Sequence, residues 1–236
     1  MQQIQWRNLQ INFEQLEELN DLKREIFNHQ IYYFETEEEK PVIIDGGAHI
    51  GLATLYFKWL YPAAKVLAFE PNPDLLKLLE LNIKQNNLEG VQIIPAALDK
   101  HQDKAKFYID ETEWQWYSTG SMKKGAWNGE QKTKEIIVPT VRLSEYLKDF
   151  VKIDLLKLDI EGNEFKVILS LKDQINKIEN LIFEFHPHGE SRLGELISFL
   201  QKKGFEVMIK NRKNKSLNCY HERELVLVEA KKKISN

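Results

Sequence analysis

The sequence predicts an α/β fold of Rossmann-like type, with a mostly parallel sheet and helices between its strands. Three observations predict it. From Val42 onward, short apolar runs alternate with segments at helical spacing, which is the pattern of crossover units. A glycine-bearing bend, Asp45-Gly46-Gly47-Ala48-His49-Ile50-Gly51, stands between the first apolar run and the first helical segment. At the far end FEVMIK and ELVLVEA are separated by a polar loop with no helix, so they are expected to pair antiparallel at one side of the sheet.

With 236 residues the chain can bury one continuous core, and the expected division is an N-terminal helical extension over 1–40 and a single domain over 41–236. Asn12 followed by Gln15 resembles a capping box, and Leu16, Leu19, Leu22 and Ile26 recur at helical spacing behind it. The charged run EEEKP, Glu37 to Pro41, marks the joint. Then follow the strand VIID, the helix LATLYFKWL, the strand KVLAFE, the helix DLLKLLELNIKQNN and the strand VQIIPAAL. Residues 100–142 interrupt the alternation: KFYI and EIIVPTV read as strands flanking a stretch rich in Trp, Gly and Ser. The strand LLKLDI, the helix NEFKVILSL, the strand LIFEF and a helix through Leu193, Leu196, Ile197 and Leu200 resume it, ahead of the final pair.

Composition excludes several classes. A hydrophobic fraction of 42% with 29% charged residues is ordinary for a soluble globular protein, and no apolar run approaches the ~18 residues of a membrane span. Met1 to Gln10 lacks the basic-then-apolar pattern of a secretory leader, so a cytoplasmic location is expected. The single cysteine, Cys219, has no partner for an internal disulfide, which agrees with a reducing compartment. A net charge of −3 gives no general attraction to phosphate backbones, so neither a nucleic acid nor a membrane is the expected partner. KNRKNK, Lys210 to Lys215, reads as a solvated hairpin tip and Lys231 to Lys233 as a frayed tail, because neither is interleaved with aromatics. Oligomeric state stays open.

The glycine bend discriminates between cofactors. Glycines let the backbone pass close under a ligand, and the following helix offers free N–H groups. A dinucleotide site would space its glycines as G-x-G-x-x-G, whereas here Asp45 precedes Gly47 and Gly51. A carboxylate there would repel a pyrophosphate and attract an ammonium, such as the amino-acid end of S-adenosylmethionine. Glu70 ends the strand KVLAFE, where a carboxylate can accept two hydrogen bonds from a ribose diol. Pro71 and Asn72 behind it, and Ala97 after the next strand, join Gly46, Ala48 and His49 as expected donor contacts. His49 stands where a residue tolerant of positive φ is wanted, so a backbone role suits it as well as a chemical one.

These residues resemble the FkbM-type family of class I S-adenosylmethionine-dependent methyltransferases. The resemblance rests on VIIDGGAHIGLATLYF, VLAFEPNP, STGS, VRLSEYL, and LLKLDIEGNEFKVI followed by LIFEFHPH, and covers about Val42 to His188. His49 replaces the family's usual Asn, and Asn163 its usual small residue. The resemblance implies a seven-stranded, doubly wound sheet and methyl transfer, commonly to hydroxyls of sugars, polyketides or other secondary metabolites.

Methyl transfer to a hydroxyl needs a positioned acceptor and a base. Asp159, Glu161, Glu184 and His186 follow consecutive apolar strands and so converge on the carboxyl rim of the sheet. Asp159 is expected to hold the donor's amino-acid end or sulfonium region, with Glu161 beside it. His186 is expected to be the general base, because its ordinary pKa of ~6.5 suits proton uptake near neutrality. Trp114, Trp116, Tyr117 and Ser121, in the interrupting stretch, are expected to bind the acceptor under a lid. No metal is expected, although carboxylates with a histidine can coordinate one. Methylation of nitrogen or a carboxylate is the alternative chemistry, and a non-catalytic S-adenosylmethionine-binding protein a more distant one.

Overall fold

A computed structural model describes residues 1–110, 120–125, 133–189, 191–217, 219–221 and 224–233. The chain opens with an antiparallel hairpin of β1 (Gln2–Trp6) and β2 (Leu9–Phe13), ahead of α1 (Leu16–Lys23) and a π-helical turn, Arg24–Asn28. Its signal in the sequence is the period-two alternation of Leu9, Ile11 and Phe13, all buried. The expected capping box is not formed: Gln15 is the N-cap of α1 without a side-chain bond, and Asn12 lies in β2.

The crossover units follow in the expected order. They are β3 (Val42–Gly46), α2 (Leu52–Leu60), β4 (Lys65–Phe69), α3 (Pro73–Gln85) and β5 (Val91–Ile94). VQIIPAAL splits at Pro95, which has no N–H to give a ladder. Its second half, β6 (Ala97–Leu98), enters a separate four-stranded sheet with β7 (Asp103–Asp110), β8 (Gly120–Ser121) and β9 (Thr133–Val141). The main chain direction resumes with α4 (Leu143–Leu147), β10 (Ile153–Leu158), α5 (Glu164–Ser170), a 3-10 turn at Lys172–Lys177, β11 (Ile178–Phe185) and α6 (Leu193–Lys202). β12 (Phe205–Lys210) and β13 (Val226–Lys232) close it, so Lys231 and Lys232 end a strand where a frayed tail was expected.

The main sheet has seven strands in the order β12-β13-β11-β10-β3-β4-β5. β13 is antiparallel to both neighbours, and the pairs β11-β10-β3-β4-β5 are all parallel. Strand order reverses between β3 and β10, and at such a switch point loops diverge and leave a crevice at the carboxyl ends. Every residue of β10 is buried, as a central parallel strand covered on both faces requires. Among the described residues no helix is long and apolar enough to cross a membrane.

The hairpin is tied to the core through Asn82 of α3, which is fully buried. Its Oδ1 accepts from Asn12 N at 2.7 Å and Asn12 Nδ2 at 3.0 Å, and its Nδ2 donates to Asn12 O at 3.1 Å and Ile50 O at 2.7 Å. Asn82→Leu leaves those buried groups without partners and is expected to cost about 1–3 kcal/mol. A urea midpoint that falls with an unchanged slope is the expected result, and an unchanged midpoint would contradict this role for Asn82.

Candidate active site

The glycine bend is built by steric necessity. Gly47 has φ +75°, and a Cβ there would stand 1.8 Å from the carbonyl oxygen of Asp159, so the bend is pressed against the backbone that leaves β10. Only glycine combines that φ with that approach. His49 adopts φ +56°, and its backbone N–H donates to Glu70 Oε2 at 2.8 Å. Asn72 N donates to Glu70 Oε1 at 2.8 Å, and the Asn72 side chain caps α3 by accepting from Asp74 N at 3.0 Å. Glu70 is thus held at the end of β4, and burial raises its pKa above the usual carboxylate range.

Beneath the bend lies a buried ion pair. Lys157 Nζ stands 3.0 Å from Asp45 Oδ1 and donates to the carbonyls of Gly46 at 3.1 Å and Gly47 at 2.7 Å. Thr54 Oγ1 donates to Asp45 Oδ2 at 2.7 Å. Burial alone would lower the lysine's pKa, but Asp45, with Asp159 and Glu70, raises it above the usual value. The expectation that Asp45 faces a ligand's ammonium is therefore corrected: its carboxylate is engaged by Lys157 and Thr54 and does not line the cavity.

The rim residues meet as expected. His186 is buried, with Nε2 2.9 Å from Glu161 Oε2 and Nδ1 3.1 Å from Glu164 Oε1. Burial alone would lower its pKa, but Glu161 and Glu164 hold it well above the ordinary imidazole value. His186 does not line the cavity and both of its ring nitrogens face carboxylates, so it does not stand where the expected general base would meet an acceptor. Burial pushes the Glu161 carboxyl up to about 7, with His186 opposing. Glu161 has φ +57°, a conformation that costs a non-glycine residue of order 1–3 kcal/mol and is held by its surroundings. One of those is Ser121, whose hydroxyl donates to the Glu161 carbonyl at 2.7 Å.

Glu184 receives a bidentate clamp from Arg212, Nε to Oε1 at 2.8 Å and Nη2 to Oε2 at 3.1 Å. Arg212 belongs to KNRKNK and is partly exposed at the hairpin tip as expected, but its guanidinium also reaches down to Glu184 and lines the cavity. Its Nη1 also lies 3.9 Å from Glu25, whose carboxyl burial pushes up to about 7. Asp159 accepts from Tyr32 OH at 3.1 Å on Oδ2, while its buried Oδ1 has no hydrogen-bond partner among the described residues. Burial would raise the Asp159 pKa, yet Lys157, then His186 and Arg212, hold it below the usual value.

A cavity of about 280 Å³ opens at the switch point, and Gly47, Ala48, His49, Glu70, Pro71 and Ala97 line one wall of it. Asp159, Glu161 and Glu184 line another, whereas Gly46, Gly51, Asn72, Ser121 and His186 stand behind the surface. Trp114, Trp116 and Tyr117 lie outside the described residues. Sequence reasoning missed Glu18, Glu25 and Tyr32 from the N-terminal segment, together with Lys157, Glu164 and Arg212. Lys157 had a signal, a lone lysine within the apolar run Leu155 to Leu158; Arg212 and Tyr32 had none, because their partners are distant in the chain. Asp159, Glu184 and His186 offer ligand atoms within 4.8 Å of one another. Both Glu184 oxygens already accept from Arg212, and both His186 ring nitrogens face Glu164 and Glu161.

A family model described as the methyltransferase FkbM domain matches residues 45–207. The chain is 30% identical over 207 residues to Methyltransferase 1 of Beauveria bassiana (strain ARSEF 2860), spanning 81% of this chain and 83% of that one. It is 24% identical over 159 residues to the 2-O-methyltransferase NoeI of Sinorhizobium fredii (strain NBRC 101917 / NGR234), spanning 63% of this chain and 65% of that one. Among solved structures, the methyltransferase FkbM from Methylobacillus flagellatus KT superposes with a TM-score of 0.54 at 12% identity, over 83% of this chain and 45% of that one. At that identity the likeness is one of fold alone.

Proposed function

This chain belongs to the methyltransferase FkbM domain family and is a methyltransferase of class I fold, and from that premise we propose that it methylates a hydroxyl oxygen of a small molecule with S-adenosylmethionine as donor. The observation that carries the donor assignment is the buried, unpartnered Oδ1 of Asp159 at the wall of an acidic cavity. Glu18, Glu25, Glu70, Asp159, Glu161 and Glu184 line that cavity against Lys157, Arg212 and His49. Such a surplus of carboxylates suits a ligand carrying an ammonium and a sulfonium, and opposes a phosphate backbone.

The donor supplies, when bound, an electrophilic methyl group whose bond to sulfur breaks as the acceptor oxygen bonds to carbon, the electron pair passing to sulfur. Asp159 receives the donor's ammonium on the free Oδ1. Glu70, held by two backbone N–H groups, accepts the ribose hydroxyls on its remaining lone pairs. Gly47 lets the backbone approach without a side chain. Glu161 takes the acceptor's hydroxyl proton: it lines the cavity, and a base with a pKa of about 7 is well matched to neutral pH. Glu184 and His186 orient the acids around it. Trp114, Trp116 and Tyr117 remain the proposed acceptor side, and residues 1–40 the extension that helps to wall the cavity. The similarity to a 2-O-methyltransferase supports oxygen as the acceptor atom.

Asp159→Asn is expected to weaken binding of S-adenosylhomocysteine by about 1.5–3 kcal/mol, roughly ten- to a hundredfold in Kd, by removing a charged acceptor. Calorimetry on folded wild-type and variant chains checks this, and equal affinities would remove Asp159 from the donor site. Mass spectrometry of products from a panel of hydroxylated metabolites tests the acceptor atom. A base-stable ether supports the proposal; a hydrolysable ester or a methylamine overturns the oxygen assignment.

A further inference from the structure

We propose that His186 is a positioning residue: a permanently protonated clamp, braced by Glu164, that aims Glu161 and sets the pH at which Glu161 becomes a base. This rests on the assignment of Glu161 as the acceptor-side base, and it adds a mechanism for tuning that base.

The bracing is built from the turn after β10. Glu164 is buried and opens α5, and its Oε1 accepts from the backbone N–H of Ile160 and of Gly162, each at 3.1 Å. With those bonds made, Glu164 presents the same oxygen to His186 Nδ1 at 3.1 Å. The other ring nitrogen then points at Glu161 Oε2, 2.9 Å away. Glu164, His186 and Glu161 form a line in which each carboxylate stabilises the same cation from opposite sides. The ring is 2% exposed, so water screens these charges little.

The order of the three groups has a chemical consequence. A carboxylate buried alone would hold its proton far above neutrality, because ionisation would place an unpaired charge in a low-dielectric site. A cation at 2.9 Å counters that cost and leaves Glu161 poised near neutrality. The neighbouring charges all act on the same balance. Asp159 at the end of β10 and Glu184 of β11 disfavour a second anion, while Arg212, from the loop after β12, partly neutralises both. Glu184 Oε2 also stands 3.5 Å from His186 Nε2, and the cation of His186 in turn disfavours charge on His188. Glu161 itself sits in a left-handed backbone conformation, directly before Gly162 at φ +101°. In that conformation the carboxylate reaches both the cavity and the imidazolium, so the strain is part of the aim.

Two spectroscopic measurements on the full chain test this. In histidine labelled with nitrogen-15, assigned with His186→Gln, both ring nitrogens of His186 are expected to carry protons at about pH 8, where an ordinary imidazole is neutral. A neutral tautomer there overturns the proposal. In protein labelled with carbon-13 at glutamate side chains, the Glu161 carboxyl, assigned with Glu161→Gln, is expected to titrate at about 7. In His186→Gln, shown by its dispersed amide spectrum to be folded, that midpoint is expected to rise by about 1–3 pH units, the size of the effect of one adjacent opposite charge. A midpoint that stays in place would mean that His186 only fills space. Neither measurement requires turnover, so missing methyl transfer with intact coupling counts against the proposed function alone.

Discussion

Replacing Glu161 with glutamine is expected to lower kcat by about 10²–10⁴-fold, the contribution of a positioned general base. Glutamine keeps the shape and the contact with His186 but cannot accept a proton. S-adenosylhomocysteine affinity should fall far less than kcat, because the ammonium and the ribose meet Asp159 and Glu70. The pH dependence separates this from a packing defect. Wild-type kcat/KM should rise with pH through about 7 as Glu161 ionises, since the proton acceptor exists only above its pKa. The variant should lose that acid limb. Wild-type kcat in Glu161→Gln, or an unchanged acid limb, would remove Glu161 from the chemistry.

The largest stability effect is expected at Lys157. Lys157→Met breaks a fully buried pair and leaves Asp45, which is 0% exposed, as an anion without its cation. Removing one partner of such a pair costs about 3–5 kcal/mol, a large share of the about 5–15 kcal/mol that stabilises a typical domain. The two carbonyls of the glycine bend lose their donor as well. Urea unfolding should show a much lower midpoint, and the surviving folded protein should bind S-adenosylhomocysteine weakly. The double variant Lys157→Met with Asp45→Leu removes both charges, and it should regain most of the stability while donor binding stays impaired. A single variant that loses under about 1 kcal/mol would show that the pair is not a brace.

Much of the fold was legible because its signals are local. The apolar period named each crossover unit, and a polar loop without a helix identified β12 and β13 as an antiparallel pair. Where local signals competed, the outcome shifted. Asn12 and Gln15 satisfied the letters of a capping box, but the alternation from Leu9 to Phe13 placed Asn12 in a strand, and its amide found Asn82. Pro95 cut VQIIPAAL because the second half pairs with β9 rather than with the main sheet.

The candidate site was legible in position and not in wiring. Asp159, Glu161, Glu184 and His186 were placed on one rim by strand order alone, and they do meet there. Their protonation was out of reach, because it depends on Glu164, Arg212 and Tyr32. Arg212 looked like one more charge on an exposed loop until the strand pair brought that loop back over β11.

The sequence by itself determined which segments are strands and helices, where the backbone must bend through glycine, and which acids end the strands, because periodicity and φ are properties of neighbouring residues. Only the tertiary structure decided which charges are paired. Asp45 with Lys157, Tyr32 with Asp159 and Arg212 with Glu184 span between 28 and 127 positions of the chain. In a buried site the nearest opposite charge determines whether a carboxylate is an anchor, a ligand or a base, and nearness across such separations exists only once the sheet has formed.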